Sequence, residues 1–313
     1  MAHASDQDVW ERPAFLSVIL VVHNMQRVAP RTLLSLVVPY QQSISHEDYE
    51  IIVVENGSTE RLDRAAVESI APNIRYFYLE DPPPSPGYAI NFGVDQARGD
   101  ILGIMIDGAH MLTPGVLRWA LAPFHYSTNP VVTAPRFFLG PESQVESVAK
   151  GYSEEEEDRL LETIHWPKNG YRLYEIGVPY RYDFKDGPPK LFWFVRQFES
   201  NCLFVRRSAF ETVGGCDLRF DIPGGGCLMP DLYRELCELD DAVIVQILGE
   251  ASFHQIHGGV STSVTRETQR ELWDTYTAQY EAIRGMPFEM SQKERQFIGH
   301  MPHAEAARLM LTG

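Results

Sequence analysis

Four short apolar runs, each ending in a polar cluster, constrain this chain more than any other feature. Phe15 to Val22 runs into His23-Asn24, and Ile51 to Val54 runs into Glu55-Asn56-Gly57-Ser58-Thr59. A third run, near Ile74 to Leu79, precedes the stiff connection Asp81-Pro-Pro-Pro-Ser85, and Ile101 to Ile106 ends in Asp107-Gly108-Ala109-His110. Uninterrupted apolar runs of this length suit strands covered on both faces. Helical segments separate them: Ala29 to Gln41, Thr59 to Ile70 and Ser85 to Gly99. This β-α-β-α-β-α-β order predicts an α/β fold with a right-handed, mainly parallel central sheet flanked by helices. Such sheets bind ligands beyond the carboxyl ends of their strands, where the polar clusters stand.

The helix boundaries carry their own signals. Pro30 stands in the first turn of its helix and Pro39 ends it. Thr59, Glu60 and Asp63 suit an N-terminal turn. Ser85-Pro86 opens the third helix and Gly99 closes it. That helix reads Gly87-x-Ala89-x-Asn91-x-Gly93-x-x-x-Ala97-x-Gly99, a row of small residues that lets it lie close to the sheet.

After Asp107 the rhythm changes. A helix is expected over Pro114 to Phe124 and a strand over Val131 to Leu139. Residues 140–198 read as irregular, with the acidic run Glu154 to Asp158 as a solvated helix face. An aromatic-rich stretch follows, which includes Trp166, Tyr182, Phe184 and Phe198. A strand over Asn201 to Val205, a helix over Arg207 to Val213, a helix from about Pro230 and a strand over Ala242 to Leu248 follow in turn. Residues 262–284 read as one long amphipathic helix and the rest as a helical tail. The expected plan is a polar tail (1–14), one domain (15–260, divided near 110) and a helical extension (261–313).

The 43 acidic against 27 basic residues give a formal charge of -16, which repels phosphate backbones and argues against nucleic acid as a partner. Strand tips and helix N-termini still supply local positive potential for an anionic ligand. Cys202, Cys216, Cys227 and Cys237 contain no C-x-x-C pair, so the expectation is reduced thiols in a cytoplasmic protein. Residues 1–14 lack an apolar targeting core, and no run approaches the ~20 apolar residues of a transmembrane helix. The sequence leaves an oligomer open.

Six elements in order resemble those of GT-A fold glycosyltransferases of the family 2 type, over roughly residues 15 to 260. They are Val21-Val22-His23-Asn24, Val54-Glu55-Asn56-Gly57-Ser58, the small-residue helix, Asp107-Gly108-Ala109-His110, Gly214-Gly215-Cys216-Asp217, and Asp231-Leu232-Tyr233-Arg234-Glu235-Leu236. The resemblance implies a nucleotide-sugar site. Val22 and Asn24 would hold base and ribose, Glu55 would accept a pyrimidine N–H with Asn56 beside it, and Asn91 would lie near the nucleotide. Asp107 would bind the ribose and a divalent ion, Mn²⁺ or Mg²⁺, that neutralises the diphosphate. The family's second aspartate is Ala109 here, so His110 and His254 complete the expected metal set, with His257 pointing elsewhere.

An inverting transfer also needs a carboxylate base. The family's Glu-Asp pair aligns with Leu228-Met229, so the base is expected at Asp231, with Asp217 and Glu199 as fallbacks. The expected activity moves a sugar from a UDP- or GDP-linked donor to an unknown acceptor hydroxyl. The alternative is a degenerate domain of this fold that binds a nucleotide sugar or a partner protein without turnover. A nucleotidyltransferase would need a glycine-rich loop after the first strand. A dinucleotide oxidoreductase would need G-x-G-x-x-G, and neither is present.

Overall fold

The structure, a computed structural model, describes residues 15–180, 192–259 and 264–310. The polar tail, Tyr182, Phe184 and the last three residues lie outside that range. Its strands are β1 (Leu16–Val22), β2 (Tyr49–Asn56), β3 (Ile74–Leu79), β4 (Ile101–Met105), β5 (His110–Leu112) and β6 (Asn129–Thr133). They continue with β7 (Arg136–Leu139), β8 (Gly177–Pro179), β9 (Leu203–Arg206), β10 (Ala242–Leu248), β11 (Ser252–His254) and β12 (Arg295–Gly299).

The main sheet has the order β12-β10-β6-β9-β4-β1-β2-β3. All neighbours pair in parallel except β9, which is antiparallel to both β4 and β6. Every residue of β1 and β2 is buried, the environment their apolar runs Val18 to Val22 and Ile51 to Val54 require, and the buried Glu50 is paired with Ser17 and Arg75. Two apolar clusters cover the two faces of this sheet. A second sheet, β5-β11-β7-β8, stands over a third cluster built on Phe137, Trp193 and Phe253.

The small residues of the helix Gly87–Gln96 do set its approach. A Cβ at Gly93 would stand 2.5 Å from Ile19 Cγ2 on β1, so the helix cannot accept a larger residue there without moving off the sheet. Gly99 lies beyond the helix rather than capping it; a Cβ there would meet the Phe15 carbonyl oxygen at 2.5 Å.

Several elements depart from the sequence expectation. The first helix stops at Leu36, where Val37 is already extended ahead of Pro39. The second begins only at Arg64, because Asp63 caps it by accepting the Ala66 N–H at 2.7 Å. The single strand expected over Val131 to Leu139 is two strands in two sheets. Pro135 has no N–H to give a ladder, and the chain changes sheet there. Residues 140–180 are ordered rather than irregular, with helices Gln144–Ala149 and Glu154–Thr163 and the strand β8. The C-terminal region is not wholly helical: after the helix Arg266–Arg284, β12 adds an outer strand beside β10. Its short, half-polar sequence is that of an edge strand, which hydropathy alone does not reveal.

Candidate active site

Asp107 lies just past the tip of β4, and β5 begins three residues later at His110. The antiparallel pairing of β5 and β11 sets His110 directly opposite His254. Their rings meet edge to face with centroids 4.8 Å apart. Asp107 Oδ1 is 3.7 Å from His110 Nε2, and Oδ2 is 3.8 Å from His254 Nε2. His257 joins them, contrary to the expectation that it points elsewhere. β11 ends at His254 and the chain turns back, bringing His257 Nε2 to 3.2 Å from His254 Nε2. One ligand atom each from Asp107, His254 and His257 lie within 4.8 Å of one another.

The electrostatics of this cluster follow from burial. Loss of water pushes the Asp107 carboxyl up, but the imidazoles of His110, His254 and His257 outweigh it and hold the carboxyl well below its usual range. Burial drives His110 down despite Asp107. Burial and the neighbouring His254 push His257 down to about 4. Burial thus favours the uncharged form of His110 and His257, the form in which imidazole ligates metal. Gln144 Oε1 lies 2.6 Å from His254 Nδ1. An amide oxygen only accepts, so Nδ1 carries a hydrogen, and Nε2 is the nitrogen turned toward Asp107.

The loop carrying these histidines is clamped from below. Glu157 is fully buried: Oε2 accepts the Ile256 N–H at 2.7 Å and Oε1 accepts from Arg27 at 3.2 Å. Arg27 also donates to the Ile256 carbonyl at 3.1 Å. Asp158 accepts from Arg31 as well as from Arg27. The acidic run is thus no simple solvated face. The polar side of its helix reaches into the site, and the pairing of Glu157 with Ile256 across 99 residues leaves no local sequence signal.

The strand tips are tied together by side chains. Asn24 adopts φ 50°, and its Oδ1 accepts from the Thr59 N–H at 2.9 Å, joining the loops after β1 and β2. Val22 is buried at the end of β1. Asn56 is 6% exposed and its Oδ1 has no hydrogen-bond partner among the described residues. Glu55, by contrast, is fully buried and engaged within the fold. It accepts from the Leu62 N–H at 3.0 Å and from the Tyr76 hydroxyl. Asn91 bridges both polar groups of the Cys216 backbone, at 3.0 and 2.9 Å, and so fixes the Gly214-Gly215 turn.

A cavity of about 1200 Å³ opens over the strand tips, and its wall includes Asn56, Pro83, Asp107, Arg136, Glu199 and Trp273. Ligand pockets usually measure about 300–1,000 Å³, so this one stands just beyond the large end of that range. His254 and His257 also line it, whereas Glu55, Asn91, Asp217 and Asp231 do not. Asp231 is 3% exposed and held by Arg284, and Asp217 is paired with Arg219 and Arg284. The structure therefore brings together Asp107, His110 and His254 but sets the two expected catalytic carboxylates apart from them.

A mainly parallel sheet with a carboxylate–imidazole cluster at the tip of β4 agrees with the GT-A fold of nucleotide-diphospho-sugar transferases. The chain belongs to glycosyl transferase family 2, whose description its residues 17–213 match, more than half of its length. No curated protein matches it. Similar solved structures include S. aureus TarS 1-349 in complex with UDP-GlcNAc (15% identity, 85% of this chain and 66% of that one, TM-score 0.51). Another is the mannosyltransferase PcManGT from Pyrobaculum calidifontis in complex with GDP-Man and Mn²⁺ (13%, 90% and 67%, TM-score 0.54). A third is glucosyl-3-phosphoglycerate synthase from Mycobacterium tuberculosis with Mn²⁺, UDP and glucosyl-3-phosphoglycerate (18%, 92% and 88%, TM-score 0.51). The chain spans about two thirds of the first two. At these identities the likeness is one of fold. No helix among the described residues is long and apolar enough to cross a membrane.

Proposed function

We propose that this protein transfers a sugar, with inversion, from a UDP- or GDP-linked donor to an acceptor hydroxyl. The observation that carries this reading is the Asp107 carboxylate, ringed by imidazoles at the tip of β4 inside the cavity. Family membership supports it, as do the nucleotide sugars bound by structures of the same fold. In this reading residues 15–110 hold the donor and residues 111–260 receive the acceptor.

The residues present fit a divalent ion. One carboxylate with imidazole nitrogens suits Mn²⁺ better than Mg²⁺. Both His110 nitrogens are buried without a hydrogen-bond partner among the described residues. Asp107, His254 and His257 would hold the ion, with His110 behind them. Bound there, it supplies positive charge opposite the departing diphosphate.

The chain's own groups do the rest. Asn56 Oδ1 is an acceptor for a base N–H, a role that Glu55 leaves open because its oxygens serve Leu62 and Tyr76. The wall residues Pro82, Pro83 and Pro84 stiffen the base side of the cavity. The four cysteines are free, buried thiols, in keeping with a reducing, cytoplasmic setting.

Calorimetry with UDP and GDP, with and without Mn²⁺, tests the reading. Mn²⁺-dependent binding of one nucleotide together with donor turnover is expected, and binding of neither ends it. A second reading, binding without turnover, draws on Ala109 and on the engaged Asp231. Tight nucleotide binding with neither hydrolysis nor transfer would select it.

A further inference from the structure

An inverting transfer needs a group that takes the acceptor proton as the oxygen attacks. Asp231 and Asp217 are off the cavity wall and bound by arginines. Among the described residues, the carboxylates on the wall are Asp81, Asp107, Glu142, Glu146, Glu199 and Asp274. Asp107 stands among imidazoles. Glu142 pairs with Lys150 and Glu146 with Arg266. Asp81 is exposed on the connection after β3, and Asp274 is exposed on the helix Arg266–Arg284.

Glu199 differs from all of these. Among the described residues β9 is the one antiparallel strand of the main sheet, and Leu203 at its start pairs with Ile104 near the end of β4. The chain therefore enters β9 across the rim where Asp107 sits, and Glu199 lies on that entry. Its side chain is 16% exposed. Oε1 accepts from Arg136 Nη2 at 3.2 Å, while Oε2 has no hydrogen bond among the described residues. Arg136 is itself fixed by stacking 3.8 Å over the Tyr180 ring. The aromatic pair Phe198 and Trp273, with centroids 5.8 Å apart, adjoins it on the wall, a surface suited to a sugar face.

We propose that Glu199 is the catalytic base of this transferase, an inference that rests on the transferase reading above. Glu199 Oε2 takes the proton of the acceptor hydroxyl. The acceptor oxygen bonds to the anomeric carbon. The bond from that carbon to the diphosphate oxygen breaks, and its electron pair leaves with the nucleoside diphosphate. Glu199 then returns its proton to water. Arg136 holds Oε1 so that Oε2 faces the cavity. Burial raises the Glu199 carboxyl above its usual range despite Arg136, which strengthens it as a base.

The test compares wild type, Glu199→Gln and Glu199→Ala with UDP-glucose, UDP-GlcNAc and GDP-mannose in the presence of Mn²⁺. Donor affinity is read by calorimetry and donor hydrolysis, with water as acceptor, by release of the nucleoside diphosphate. Glu199→Gln keeps the Arg136 hydrogen bond, so donor Kd is expected within about threefold of wild type while kcat falls at least ~100-fold. Added formate is expected to restore part of the rate to Glu199→Ala and none to Glu199→Gln, which leaves no space for it. A Glu199→Gln rate near wild type, or a loss confined to KM, overturns the base assignment and leaves the transferase reading intact. A wild-type chain that neither binds nor turns over any of these donors removes both.

Discussion

The Arg284 guanidinium grips the Asp231 carboxylate through two hydrogen bonds, 2.7 Å from Nε and 2.5 Å from Nη2. The carboxylate side chain is 4% exposed and the guanidinium 24%, so the pair is largely out of water. Asp231 in turn raises the Arg284 guanidinium above its usual range. An acid held in this way, off the cavity wall, is poorly placed to meet a substrate proton. Removing one partner of a buried pair leaves the other charge uncompensated, a cost on the order of 3 kcal/mol. Arg284→Met is therefore expected to lower the urea midpoint markedly, and Asp231→Asn to cost stability without a ~100-fold fall in kcat. An unshifted midpoint with a collapsed rate in Asp231→Asn would return the base to that position.

Asp107 anchors the imidazole cluster, so Asp107→Ala is expected to abolish Mn²⁺-dependent donor binding. His254→Ala removes one nitrogen and is expected to weaken Mn²⁺ by at least about tenfold. Calorimetric titration of Mn²⁺ into each variant checks both. Unchanged Mn²⁺ affinity in either variant would place the ion elsewhere.

Glu157 does not line the cavity, yet it fixes the Ile256 peptide between the two site histidines. Glu157→Ala strands that N–H in the interior, and an unpaired buried donor costs about 1–3 kcal/mol. A lower unfolding midpoint is expected, with Mn²⁺ bound about 10- to 100-fold more weakly, the scale of lost support behind a metal ligand. Glu157→Gln, whose amide oxygen still accepts, is expected to recover most of both. Equal losses in the two variants would show that the hydrogen bond to Ile256 is not what matters.

Burial pushes the Cys227 and Cys237 thiols up to about 12, and Cys202 and Cys216 higher still. A raised thiol pKa keeps the unreactive protonated form at pH 8. Iodoacetamide at pH 8 is expected to leave the native chain unmodified and to label all four cysteines in guanidinium, as counted by mass. Rapid native labelling would contradict the packing around them.

Much of the segment 15–110 was legible because its signals are local. The runs at β1, β2 and β4 are apolar throughout since both sheet faces are covered, and the small residues at 89, 93 and 99 stand where sheet and helix touch. The segment 111–260 was less legible because its logic is long-range. The partner of Asp231 lies 53 residues away and that of His254 Nδ1 lies 110 residues away. Nothing near either residue announces the pairing. His257 was discounted on strand geometry that ends at His254. Glu199 gained its position only from the antiparallel direction of β9, which a rule favouring parallel strands does not anticipate.

The outer strand β12 and the counter-ion of Asp231 both come from downstream of the family-matched segment. Translation at roughly 5–20 residues per second separates Asp231 from Arg284 by about 3–11 s. Throughout that interval the nascent polypeptide carries an acid that its own interior cannot yet neutralise. The pairing of Asp231 therefore waits on a residue made after every strand of the main sheet but the outer one.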